Sequence, residues 1–276
     1  MTWRLQVNHT TNFQYESEIS ASFNEARMTP MALHNQLVLQ HNFSVSPLAS
    51  VYEYSDYFGT RVKSFDIQAP HFELSIEAES IVDVEEVFYT SGKCDWKELD
   101  EPSFRDSFDE YLELTPLVDS FNHNLELRSL VNPHEAVLFL NTEISQHISY
   151  TPGVTNVYSP ASDAWQKGAG VCQDFTHACI SILRSAGIPA RYVSGYLYTG
   201  GGDIGETVIG ESHSWVEAWV GDWFQFDPTN GRSIGTDHVT VAKGRDYHDV
   251  TPLKGVLSGG RSRRTDVVVS LTRLER

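Results

Sequence analysis

The stretch Gly168-Ala169-Gly170-Val171-Cys172-Gln173-Asp174-Phe175 decides the fold. A glycine-rich run ends on a cysteine, and a helical pattern begins there. Phe175, Ala178, Cys179, Ile182 and Ala186 fall on one apolar stripe. The spacing predicts a helix from Cys172 to Ala186, closed by Gly187 and kept from resuming by Pro189. Cys172 therefore opens a helix, where unpaired N–H groups and the positive end of the dipole favour a thiolate. The same N–H groups suit an oxyanion developing in acyl transfer.

A thiol nucleophile needs a base, and a base needs an orienting group. Among eleven histidines, His213 stands out because it begins the strand His213-Ser214-Trp215-Val216-Glu217-Ala218-Trp219. Asp227 ends the next strand, just before Pro228. A hairpin around Gly221-Asp222 brings those outer ends together. A clean two-residue turn would set His213 and Asp227 on opposite faces. The grouping of Cys172, His213 and Asp227 thus requires a three-residue turn or a bulge. Other groups read more simply. Cys94 and Cys179 are small buried hydrophobes, His177 cannot face Cys172 well along the helix, and Asp174 is a first-turn residue. Asp237-His238 and Tyr247-His248-Asp249 match no metal-site spacing, so no metal and no cofactor are expected.

Further out, the chain divides by pattern. Residues 1–95 carry short alternating runs: Trp3 to Val7, Asn35 to Val45, Val51 to Tyr54, Val62 to Ile67 and Phe72 to Ala78. These read as an antiparallel, sandwich-like β domain. Residues 96–148 form an acidic helical linker, with a helix from Pro133 to about His147. Residues 149–276 hold a helix from Ser159 to Lys167 with Ser159 or Ser162 as cap, the Cys172 helix, a strand from Ala190 to Tyr198, the hairpin, and a C-terminal strand over Asp266 to Leu271. The Gly200–Gly202 loop is a candidate lid.

Composition narrows the function. The chain has 276 residues, 40% hydrophobic and 12% aromatic, enough for a full core. A net charge of -17 argues against nucleic acid and against an anionic membrane as partners. It favours solubility and leaves the oligomeric state open. No signal peptide opens the chain and no apolar run approaches bilayer length. Three cysteines without a CxxC pair suit a reducing, cytoplasmic setting.

Five ordered motifs then converge: Gly170-Val171-Cys172-Gln173-Asp174-Phe175, the run from Gly187 to Tyr196, Ser212-His213-Ser214-Trp215-Val216-Glu217, Asp227-Pro228-Thr229-Asn230, and Gly244-Arg245-Asp246-Tyr247. With Asp56-Tyr57-Phe58-Gly59 and Pro70 to Leu74 in the first half, the chain resembles the bacterial transglutaminase-like family. The resemblance implies an α+β fold: an N-terminal β domain followed by a papain-like core, a Cys-bearing helix packed on an antiparallel sheet. It implies Cys172 as nucleophile, His213 as base and Asp227 as orienting acid, acting on a peptide or amide substrate through a thioester. Cross-linking members place a tryptophan in the oxyanion hole upstream of the cysteine. Here only Trp165 precedes it closely, and Gln173, Tyr150 and Trp215 are the candidate oxyanion or substrate residues. The expected function is a cysteine peptidase or amidase. The alternatives are an amine acyltransferase of the same mechanism and a peptide-binding module without turnover.

Overall fold

The computed structural model describes residues 1–88, 94–210 and 212–275. Strands β1 (Thr2–Ile19), β2 (Ala21–Ala26), β3 (Gln36–Ser46), β4 (Val51–Ser55), β5 (Arg61–Ile67) and β6 (His71–Glu85) come first. On β1, Leu5, Val7, His9 and Thr11 are buried and the residues between them are half-exposed, the period of a strand with one face inward. Helices α1 (Trp96–Leu99) and α2 (Pro102–Ser107) lead to α3 (Pro133–His147). Asn132 caps α3 by accepting from the Glu135 N–H, and Pro133 sits where no N–H is needed.

The second half continues with β7 (Ser149–Tyr150), α4 (Ala161–Lys167), β8 (Ala169–Gly170), α5 (Cys172–Ser185), β9 (Ala190–Leu197), β10 (Thr207–Gly210), β11 (Ser212–Trp219), β12 (Trp223–Asp227), β13 (Arg232–Ser233), β14 (His238–Gly244) and α6 (Tyr247–Val250). It ends with β15 (Leu253–Ser258) and β16 (Ser262–Leu274). Neither Ser159 nor Ser162 caps α4, which starts after Pro160. Asp119 accepts from the Ser162 N–H instead, so the cap comes from outside the helix.

The core sheet runs β13-β12-β11-β9-β14 and carries α5 on one face. A large sheet runs β10-β16-β1-β6-β3 and a smaller one β15-β2-β5-β4. The expected C-terminal boundary is corrected here. β16 does not join the core unit of 149–276. It pairs antiparallel with β1 from Leu274 opposite Arg4 back to Ser262, and β15 pairs with β2. The physical reason is the free edge of β1, whose other side is taken by β6. An unpaired edge of that length invites association, and β16 covers it. The segment expected as a linker also packs inward, since Ala136, Val137, Leu140 and Ile144 of α3 lie in the main hydrophobic core.

The large sheet serves two cores. Leu5, Val7, Val82 and Val84 pack with the α5 side of the molecule, while Leu74, Ile76 and Ala78 pack with Phe65 and Ile67 of the smaller sheet. Polar contacts lock the halves together. His9 Nδ1 lies 2.7 Å from the Tyr196 hydroxyl. The Gln36 amide donates to Thr240 O (2.8 Å) and accepts from Thr240 N–H (2.8 Å), so β14 is fastened to the N-terminal domain. Among the described residues, no helix is long and apolar enough to cross a membrane.

Candidate active site

The first turn of α5 is built around its cysteine. Val171, the N-cap residue, has no side-chain oxygen to offer. Asp174 reaches back instead and accepts from the Val171 N–H at 2.7 Å. Its carboxylate also accepts from the Thr155 hydroxyl at 2.6 Å, tying the loop after β7 to the helix start. Burial raises the Asp174 pKa despite these bonds. Gly170 makes room: a Cβ there would lie 2.6 Å from the Asp174 carboxylate. Cys172 is the first helical residue, so its N–H has no partner within the helix. Its thiol is half-buried, 4.0 Å from the Ser212 carbonyl.

The hairpin turns in three residues. Trp219 pairs with Trp223 and Val216 with Phe226, leaving Val220-Gly221-Asp222 as the turn, with φ +94° at Gly221. Extending that register sets 227 opposite 215 and puts 213 and 227 on one face, as the grouping of the three side chains requires. His213 Nε2 donates to Asp227 Oδ2 at 2.8 Å. Nδ1 is then the nitrogen left for the thiol, and Cys172 and His213 border the same cavity of about 290 Å³. Burial pushes the His213 pKa down, but hydrogen bonds to Asp227 and Cys172 outweigh it and raise the ring to about 9.

Asp227 is fully buried and surrounded by donors. Oδ1 accepts from the Thr229 and Asn230 N–H groups at 3.0 and 3.2 Å, and Oδ2 also accepts from the Asn230 amide at 2.6 Å. Burial pushes its carboxyl up, but His213 and His238 hold it well below the usual carboxylate range. From α3, the Asn141 amide, turned to satisfy both neighbours, donates to the Asp227 carbonyl (3.2 Å) and accepts from Arg232 N–H (3.3 Å). The arrangement can hold an imidazole in one tautomer beside a thiol, with a fixed anion behind it.

The remaining candidates divide. Tyr150 borders the cavity with Leu197, Thr199, Thr229 and Asn230. Gln173 is buried and donates its amide to Val157 O at 3.2 Å, so it holds the neighbouring loop. Trp215, a candidate oxyanion or substrate residue whose face also reads as core or pocket wall, lies in the core. It is fully buried, donates to Gln225 Oε1 at 3.4 Å, and stands edge-on to His238 with ring centres 5.3 Å apart. The space it fills exists because residue 195 is glycine: a Cβ there would lie 2.5 Å from the indole. The Gly200–Gly202 loop, expected as a lid, is tied by Glu206, which accepts from Gly202 N–H at 3.1 Å and the Tyr198 hydroxyl at 2.8 Å.

Sequence reasoning missed His238. Its Nε2 lies 3.4 Å from Asp227 Oδ2, and the ligand-type atoms of His213, Asp227 and His238 all fall within 4.8 Å of one another. These are groups a metal ion could share, and in this structure they are turned toward each other as donors and acceptor. The alternation Val239, Val241 within His238 to Gly244 was the available signal for a strand there, next to β9.

Two family models match the chain: the bacterial transglutaminase-like N-terminal region over residues 5–83 and the transglutaminase-like superfamily over residues 124–228. An uncharacterised Mycobacterium leprae protein is 42% identical across 99% of both chains. A Pseudomonas aeruginosa protein-glutamine gamma-glutamyltransferase is 31% identical over 99 residues, 30% of this chain and 14% of its own length. A solved structure from Cytophaga hutchinsonii, described as a candidate cysteine protease, superposes with a TM-score of 0.78 at 22% identity, covering 100% of this chain and 92% of that one. The likeness shows a shared fold, an α+β core with an antiparallel sheet behind an N-terminal β domain. The chain belongs to the transglutaminase-like superfamily, with the N-terminal region of its bacterial members.

Proposed function

We propose that the protein is a cysteine-dependent acyl-transfer enzyme that cleaves peptide or amide bonds through a thioester. One observation carries this reading: Cys172 at the start of α5 and the His213–Asp227 pair meet at one cavity wall. Sγ attacks the carbonyl carbon, and the developing oxyanion meets the Cys172 N–H, which has no partner within the helix. Tyr150, on the same cavity, is the candidate second donor. The C–N bond breaks as His213 passes its proton to the leaving amine. Water then gives a proton to His213 and adds to the thioester. The C–S bond breaks, the carboxylic acid leaves, and the thiolate–imidazolium pair is restored.

Thr199, Ser212, Thr229 and Asn230 border the cavity and give it polar edges where water can stand as acceptor. Transfer to an amine is the second reading, favoured by the γ-glutamyltransferase among the relatives. The test is iodoacetamide alkylation of Cys172 against pH, located by peptide mass spectrometry, in wild type and His213→Ala. An activated pair reacts well below the ordinary thiol pKa of about 8.5 and loses that on His213→Ala. An ordinary profile at Cys172 overturns the reading. Release of free amine from peptide amides, with and without an added primary amine, then separates hydrolysis from transfer.

A further inference from the structure

The Asp227 carboxylate faces two histidines. Oδ2 lies 2.8 Å from His213 Nε2 and 3.4 Å from His238 Nε2. His238 is fully buried at the start of β14, where Gln36 of the N-terminal domain clamps the strand two residues on. Its Nδ1 lies 2.8 Å from Asp237 Oδ1. Asp237 in turn accepts from Arg232 at 2.6 Å, at the surface end of the row. From solvent to thiol the order is Arg232, Asp237, His238, Asp227, His213, Cys172.

Both nitrogens of His238 thus face carboxylates, which only accept. A ring that donates from Nε2 satisfies Asp227, while Nδ1 stands between Asp237 Oδ1 and the Gly235 N–H, 3.3 Å away. Asp237 keeps Arg232 as its donor.

We propose that His238 is a positioning residue that gives Asp227 a second donor and keeps it oriented whichever charge His213 carries. The inference rests on the acyl-transfer reading of Cys172. His213 is charged in the resting pair and neutral once it has given its proton to the leaving amine. At that point Asp227, fully buried, has lost its nearest cation. His238 Nε2, behind it, supplies a donor that the reaction does not consume. Trp215, edge-on to the His238 ring, holds it in place.

The test is the pH profile of Cys172 alkylation by iodoacetamide in wild type, His238→Phe, His238→Gln and Asp237→Asn, with circular dichroism and a thermal melt of each. His238→Phe removes the donor. It moves the acid limb of the profile up by about one pH unit, because an Asp227 with one donor fewer is held less firmly and protonates sooner. His238→Gln keeps a donor and moves the limb less. Asp237→Asn moves it in the same direction and least. If His238→Phe fails to fold, the other two variants decide. Profiles that superimpose on wild type overturn the inference, and so does a lower plateau with an unmoved limb, which marks structural support alone. A wild-type profile with no limb below the ordinary thiol range instead overturns the reading of Cys172, and this inference with it.

Discussion

Cys172 and Cys179 sit two turns apart on one helix, and the fold treats them as different substances. Cys172 is half-exposed at the first helical position, beside His213 and on a cavity wall. Cys179 is fully buried on the apolar stripe, where burial pushes its thiol pKa well above the ordinary value. Cys94 follows Cys179: burial, then Glu98 and Asp95, push it up to about 12. The difference is one of surroundings. A helix start supplies unpaired N–H groups and a positive potential, whereas the middle of a helix supplies neither. What sets the two thiols apart is therefore the first turn of α5 and the hairpin facing it.

Replacing each cysteine tests the contrast most severely. Cys172→Ala should lower amide hydrolysis by about 10⁴-fold or more, as loss of a nucleophile does, and leave the melting temperature near wild type. Cys179→Ser should do the reverse. A buried hydroxyl without a partner costs about 1–3 kcal/mol of stability, while turnover per folded molecule stays near wild type. Activity assays paired with denaturant melts read both. A Cys172→Ala protein with full turnover would move the chemistry elsewhere.

The geometry of the first turn offers a finer break. Gly170→Ala places a Cβ 2.6 Å from the Asp174 carboxylate, which is held by Val171 and Thr155 and has little room to move. The crowding should cost about 1–3 kcal/mol and displace the cap that sets Cys172 in place. Cys172 alkylation near neutral pH should fall about tenfold, one pKa unit's worth of lost stabilisation, with Cys179 unchanged. Asp174→Asn, of the same shape, should lower it less. Equal alkylation in Gly170→Ala would show that the thiol owes nothing to this turn.

Much of this contrast is legible in the sequence, because it rests on local signals. The glycines before Cys172, the apolar stripe after it and Gly187 with Pro189 place the helix to within a residue. The strand parity of His213 and Asp227 required a three-residue turn or a bulge, and the hairpin has the turn. What was not legible depends on partners distant in the chain. Trp215 shares the His213 face by parity, yet whether that face is cavity or core depends on Gly195 of the neighbouring strand. His238 is eleven residues beyond Asp227, and only the pairing of β14 with β9 brings it behind the carboxylate. The free edge of β1 gives no local hint that a strand more than 240 residues later covers it.

Proton counting gives the smallest expected effect and the sharpest view of the two thiols. A histidine whose folded pKa is raised contributes stability that is whole below its unfolded value, about 6.5, and is lost as pH rises toward the folded value. His213, raised to about 9, is such a group. In Cys172→Ala the Asp227 hydrogen bond still raises it. Stability of that variant should therefore fall by up to about 1.4 kcal/mol per pH unit just above pH 6.5. His213→Gln in the same background should remove the slope. Cys179 adds nothing in this window: it stays protonated in the folded chain, and the unfolded thiol releases its proton only near pH 8.5. Urea melts at half-unit pH steps measure both slopes. A slope that survives His213→Gln would assign the retained proton to a group other than His213.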